Sequence, residues 1–186
     1  MSILIDQSTR VLIQGMTGRV GRAQAQFMLA EGTRIVAGVT PGKGGTTEQG
    51  VPIYDHVAEA QANVAADLSL LFVPPAVAEQ AIDEALHAGF RKLVLITEGI
   101  PVHSTMRMRA RAEAAGARLV GPATPGIISP GQCKVGIMPA RFFQPGPVGV
   151  VSRSGTLSYE VSGGLSAAGI GQSTVVGLGA DPVVGT

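Results

Sequence analysis

The stretch RVLIQGMTGRVGRAQ, Arg10 to Gln24, decides the fold. Its apolar run stops at Gln14, and glycines recur at Gly15, Gly18 and Gly21 before a helical pattern begins. A strand that ends in such a turn and feeds a helix brings backbone close to an anion, while the helix start offers unpaired N–H groups and a partial positive charge. The turn is thus a seat for a phosphate-bearing ligand. The alternative is a purely structural turn whose glycines let the helix pack closely.

Outward from this turn, short β-rich runs alternate with Ala-rich helical stretches. RVLIQ is followed by a helix over Arg19–Glu31, then come RIVAGVT and VPIYD with a helix over His56–Ala66. LSLLFV precedes a helix over Ala76–Ala88, KLVLIT one over Ser104–Ala115, and RLVG closes the series. This rhythm predicts parallel strands joined by right-handed helical crossovers. LSLLFV and KLVLIT are apolar on both faces, as strands must be when helices cover both sides of a sheet. The predicted fold class is α/β, a Rossmann-like doubly wound parallel sheet over residues 1–121.

The texture changes at Pro122. Residues 122–147, rich in proline and glycine and without helical period, read as an ordered connecting loop with room for a small hairpin. VGVVSRSG then reads as a strand running into a turn, TLSYEVSGGLSAAG as a helix and STVVGLG as a strand, so residues 148–186 begin a second βαβ unit. Such a segment is too short to bury a core without help.

Composition bounds the partners. The 186 residues are 45% hydrophobic and 15% charged, which fits a globular chain with a real core. Fourteen basic and 13 acidic residues give a net charge of +1 without blocks of one sign, so neither a nucleic-acid backbone nor an anionic membrane is the expected partner. Arg107, Arg109 and Arg111 read as a solvated helix face. With one cysteine, Cys133, no internal disulfide framework is possible. The start lacks a signal-peptide pattern and no segment is apolar enough to span a bilayer, so the expected location is the cytoplasm.

The end of the second strand selects the ligand. Dinucleotide sites selective for NAD carry an acidic residue about 20 positions after the glycines. Here the chain reads VTPGKGGTTEQG, with Lys43 on a Gly-rich loop and no carboxylate before Glu48. A lysine suits an extra phosphate, the 3′-phosphate of coenzyme A or the 2′-phosphate of NADP. Ile96, Thr97 and Glu98 end the fourth long apolar strand at the edge where open α/β sheets bind ligands. Ser154, Gly155 and Thr156 form a Ser/Gly turn at a helix start, also suited to a phosphate. His56, His87 and His103 show no metal-ligand spacing, and no metal site is expected.

SILIDQSTRVLIQGMTG, AGVTPGKGGTT, ITEGIP, GIISPG, KVGIMP and GVVSRSGTLSYE together resemble the alpha subunit of succinate-CoA ligase, also called succinyl-CoA synthetase. The resemblance runs along essentially the whole chain. It implies an N-terminal CoA-binding domain, then the start of a flavodoxin-like ligase domain, working with a nucleotide-grasping beta subunit. In that family a carboxylate is joined to CoA at the expense of ATP or GTP, with Mg on the partner subunit, through an acyl phosphate and a phosphorylated histidine. Carried over, it places Thr17, Gly18, Arg19 and Val20 against CoA, Lys43 at its phosphates, and Ile96, Thr97 and Glu98 along its length. Tyr159 falls near a dicarboxylate substrate, and the helix start at Ser154–Thr156 stabilises the phosphohistidine.

None of the three histidines has the context of the family's active-site histidine, which is expected beyond Thr186, so this chain alone is expected to bind CoA without completing phosphoryl transfer. Ala123 and Thr124 in GPATPG stand where succinate-CoA ligases usually show Asn and Cys, and GPAT looks more like ATP-citrate lyase. The alternatives are a malate-CoA or citrate-CoA relative, a non-catalytic CoA-binding module, and an NADP-dependent oxidoreductase.

Overall fold

The computed structural model describes residues 2–185; Met1 and Thr186, the last residue of the expected ligase segment, lie outside the described residues. The chain forms β1 (Arg10–Gln14), α1 (Arg19–Ala30), β2 (Arg34–Val39), β3 (Thr47–Glu48), β4 (Val51–Tyr54), α2 (Val57–Val64), β5 (Leu68–Leu71) and α3 (Ala78–His87). It continues with β6 (Lys92–Leu95), α4 (Val102–Ala114), β7 (Arg118–Val120), β8 (Gly126–Ser129), β9 (Cys133–Gly136), β10 (Pro145–Ser152), α5 (Gly155–Ala167) and β11 (Gln172–Gly177).

Seven strands make one sheet in the order β3-β4-β2-β1-β5-β6-β7, parallel throughout except for the short β3. The doubly wound α/β reading therefore holds. The chain leaves β1 toward β2 and β4 on one side, then crosses back to β5 on the other, so the order reverses between β1 and β5. There Ile13 pairs with Gly38 on one flank and Leu70 on the other. A reversal of this kind leaves a crevice outside the carboxyl ends of the two strands.

Helix faces follow from spacing. In α3 the buried residues are Ala78, Ala81, Ile82 and Ala85, one stripe at helical period. In α4 they are Thr105, Met108 and Ala112. The arginines are exposed as expected, and packing α3 on α4 gives two of them partners: Arg107 makes two 2.8 Å bonds to the Glu79 carboxylate, and Arg111 lies 3.0 Å from Glu79 and 2.7 Å from Asp83. Arg109 pairs within its own helix, with Glu113.

Hydrogen bonding from Arg107, only partly opposed by desolvation, holds the Glu79 carboxyl down at about 2. A depressed carboxyl pKa contributes stability that is present above the ordinary value near 4.5 and is lost as pH falls through about 2. Thermal melts are therefore expected to lose stability across that window, and Glu79→Gln is expected to flatten the loss. Equal losses in the two proteins would remove Glu79 from the account of acid sensitivity.

The stretch read as a connecting loop supplies half of a second sheet. β8 and β9 form a hairpin, β8 pairs antiparallel with β11, and β11 pairs parallel with β10. One buried cluster joins Ile13, Met16, Val94 and Val120 of the first sheet side to Ile127, Val135 and Val176 of the second. This shared core, with the hairpin, is the help that the short βαβ segment needs. The Thr33 hydroxyl adds a clamp, donating to the Lys134 carbonyl at 2.7 Å and accepting the Lys134 N–H at 3.0 Å.

Candidate functional site

The crevice at the carboxyl ends of β1 and β5 opens into a cleft of about 840 Å³. Its floor is the glycine turn. Gly15 has φ +77°, and a Cβ there would stand 2.4 Å from the Phe72 carbonyl oxygen, so only glycine fits. At Gly21 a Cβ would stand 2.2 Å from the Gly15 carbonyl oxygen, which makes this glycine the point where α1 rests on the turn.

Gly18 differs. It caps α1 in extended backbone with no side-chain cap bond and no acidic residue in the first turn. The first helical bond runs from Arg22 N–H to the Gly18 carbonyl at 2.8 Å. The N–H groups of Arg19, Val20 and Gly21 precede that bond and point out of the helix end, a donor set with positive dipole character. With no acidic residue in the first turn of α1, such a helix end is suited to an anion.

Two further strand ends meet the turn. The Thr17 hydroxyl donates to the Thr40 hydroxyl at 3.1 Å, tying the turn to the end of β2. The Thr97 hydroxyl donates to the Val73 carbonyl at 2.5 Å, tying the end of β6 to the segment after β5. Beneath them the buried Gln14 amide donates to the Ser69 hydroxyl and the Ala81 carbonyl, both at 3.1 Å.

The second sheet completes the cleft with a second helix start. Ser154 caps α5 by accepting the Leu157 N–H at 3.2 Å. The Ser152 hydroxyl braces that turn, accepting the Ser154 N–H at 3.1 Å and donating to the Ser154 carbonyl at 2.9 Å. Gly155, Thr156 and Tyr159 line the cleft. Tyr159 stacks on Phe142 at 6.0 Å and meets the edge of Phe143 at 6.2 Å, so its ring is held in place, and burial pushes its phenol pKa up. Two helix N-termini, capped by Gly18 and Ser154 and so 136 residues apart in sequence, thus face one cleft.

Of the residues singled out from sequence, Thr17, Gly18, Arg19, Val20, Ile96, Thr97, Glu98, Gly155, Thr156 and Tyr159 all line this cleft. Ser154 stands one residue outside, as the cap. Lys43 does not line it. That lysine sits exposed on the loop after β2, whose backbone is pinned by Asp55: the Lys43 and Gly44 N–H groups donate to Asp55 Oδ1 at 3.0 and 2.9 Å. These backbone bonds, led by that from Gly44, hold the Asp55 carboxyl below its usual range.

Sequence reasoning missed Phe72, Val73, Pro74 and Pro75, which form a wall. They follow β5 directly, so the switch-point rule applied to that strand would have found them. Pro125 and Ile137 also line the cleft, brought there by the β8–β9 hairpin. Thr124 holds its position by donating to the Gly177 carbonyl and accepting the Gly126 N–H at 2.9 Å. Cys133 is buried, with its thiol pKa pushed up by desolvation to about 11, and is not among the cleft residues.

None of His56, His87 and His103 lines the cleft. His56 precedes α2 with Nδ1 3.7 Å from Glu84, His87 lies 2.7 Å from the Asp83 carbonyl, and His103 is exposed on α4. Among the described residues no three His, Cys, Asp or Glu side chains gather as metal ligands, and no helix is long and apolar enough to cross a membrane.

The family described as CoA binding domain matches residues 6–99, which hold the glycine turn, the Lys43 loop and Ile96–Glu98. The alpha 2 subunit of the ADP-forming succinate-CoA ligase of Archaeoglobus fulgidus is 53% identical over the whole chain, and the corresponding alpha subunit of Aquifex aeolicus is 49% identical. The chain spans 65% and 61% of those relatives' lengths. Among solved structures, the ATP citrate lyase of Methanothrix soehngenii in complex with citrate and coenzyme A superposes with a TM-score of 0.84 at 27% identity. That match covers 99% of this chain and 33% of the lyase chain.

Proposed function

The chain belongs to the CoA-binding domain family, and from that premise we propose that it is the CoA-holding part of the alpha subunit of an acyl-CoA ligase of the succinate-CoA ligase type. The observation that carries the reading is the single cleft shared by two helix N-termini, one on the glycine turn and one at α5. CoA brings its pyrophosphate to one helix start, and the chemistry needs a second place for a phosphoryl group near the thiol.

In this reading the N–H groups of Arg19, Val20 and Gly21 receive the pyrophosphate. Lys43, on its pinned loop outside the lining, reaches for the 3′-phosphate, and Thr97 with Glu98 borders the cofactor's length. The α5 start, capped by Ser154, stabilises negative charge on the phosphoryl group. Tyr159 orients a dicarboxylate. The contribution of these residues is to hold the thiol and the acyl phosphate together, where positioning supplies much of the rate. The histidine that carries the phosphoryl group is none of His56, His87 and His103. ATP or GTP with Mg belongs to a beta subunit, and the assembly works in the cytoplasm.

One observation favours a second reading of the acid. Ala123 and Thr124 stand in the cleft, the structural likeness to a citrate lyase is close, and a citrate-CoA or malate-CoA relative would use that wall differently. The CoA part of the proposal is the same for both.

Calorimetric titration with CoA and with dephospho-CoA tests the assignment of Lys43. Lys43→Ala is expected to weaken CoA by about tenfold and dephospho-CoA by less than about twofold. Equal weakening moves Lys43 to the pyrophosphate; no weakening of either removes it from the site.

A further inference from the structure

A second cavity, of about 380 Å³, lies between α1 and the segment that follows β9. Lys134 lines it and is only 3% exposed. Among the described residues its ammonium makes no hydrogen bond and no ion pair; its recorded neighbour is the face of Phe27, 5.4 Å from the ring centre. A buried cation with no carboxylate within ion-pair distance is costly, and Glu31, which lines the same cavity, offsets that cost only in part, so the adjoining cavity is the natural place for a further anion to arrive. Arg141, stacked on Phe142 at 4.6 Å, lines the same space and has no carboxylate partner among the described residues. Gln24, on the α1 wall, buries its Oε1 without a donor, and the Glu31 carboxylate borders the cavity beside it.

The cavity therefore holds a buried ammonium without an acceptor, an exposed guanidinium without a carboxylate partner and a buried carbonyl without a donor. We propose that this cavity binds a small carboxylate that carries a hydrogen-bond donor next to the carboxyl group, a hydroxy acid or an amino acid. Its carboxylate pairs with Lys134 and Arg141, and its hydroxyl or ammonium donates to Gln24 Oε1 and Glu31. The volume of about 380 Å³ admits a ligand of that size. Burial also lowers the Lys134 pKa, partly offset by Glu31, which adds to the advantage of an arriving anion. The cavity borders the larger cleft, the two sharing Ile137, but Gln24, Glu31, Lys134 and Arg141 line only the smaller one, and the proposal does not rest on the reading of the cleft.

Calorimetric titrations of the full chain near neutral pH, with malate, aspartate, succinate and inorganic phosphate as probes, decide the matter. Malate or aspartate is expected to saturate one site with succinate and phosphate at least about tenfold weaker, and the stronger of the two names the donor as hydroxyl or ammonium. Lys134→Met, which keeps the stem and removes the charge, is expected to abolish that binding, to leave CoA titration unchanged and to raise the melting temperature of the free protein. Arg141→Gln, an exposed change that leaves the buried wall intact, is expected to weaken binding by about fivefold or more. Absence of saturable binding up to about 10 mM of every probe overturns the proposal, as does binding that survives Lys134→Met. Equal binding of phosphate and malate overturns the assignment of a donor-bearing ligand.

Discussion

Gly21→Ala is expected to lower stability by about 3 kcal/mol or more, a fall in Tm of roughly 6–12 °C. The added Cβ would stand 2.2 Å from the Gly15 carbonyl oxygen, 3.0 Å from its carbon and 3.1 Å from Met16 Cα. All three atoms are backbone, and the turn that holds them is itself fixed by the Gly15 N–H bond to the Val39 carbonyl at 2.8 Å. No side chain can rotate out of the way. Either α1 lifts from the turn or the β1 end deforms, and both outcomes misdirect the three free N–H groups. Ligand affinity is expected to fall with stability, by about tenfold or more. A variant with wild-type Tm would show that α1 does not rest on Gly15 as described.

Gly18 separates ligand binding from folding. Its backbone, at φ −67° and ψ 158°, is open to any residue, and a Cβ would meet only the Gly15 carbonyl oxygen, at 3.2 Å. Gly18→Ala and Gly18→Val are therefore expected to fold, the alanine variant with Tm within about 3 °C of wild type. Gly18 lines the cleft, so both add carbon beside the start of α1. CoA affinity is expected to drop by about tenfold for alanine and about a hundredfold for valine, because a pyrophosphate must approach the backbone where the side chain now stands. Unchanged affinity in a folded Gly18→Val protein would move the ligand off this turn.

The first sheet was legible because its evidence is local. Each parallel strand is an apolar run such as LSLL or KLVL, and each crossover helix carries its own stripe, so neither depends on a distant partner. The second sheet was only half legible. Residues 126–136 lack a period, and the strand that gives β8 its place, β11, lies some 45 residues later. The pairing of Val175 with Ile128 is a tertiary fact that no window on either segment contains. The same limit applies to the arginines: Arg107 and Arg111 are exposed on α4 as expected, but their partners Glu79 and Asp83 on α3 were not legible from α4 alone.

The candidate site follows the same division. Gly18–Val20 and Ile96–Glu98 sit directly after strands of one parallel sheet, so their convergence follows from strand order. Gly155, Thr156 and Tyr159 enter the cleft only because the second sheet folds back on the first, through the cluster that joins Ile13 and Met16 to Ile127 and Val135. Lys43 was legible as a cation on a loop, but its distance from the lining depends on the hold of Asp55, twelve residues on, which its own neighbours do not reveal.

The most direct measurement is a pair of calorimetric titrations of the wild-type chain, one with CoA and one with NADP. The account predicts saturable one-site binding of CoA and no binding heat from NADP. Saturable NADP binding with CoA silent would contradict it, leaving the glycine turn as a dinucleotide seat and withdrawing the ligase assignment.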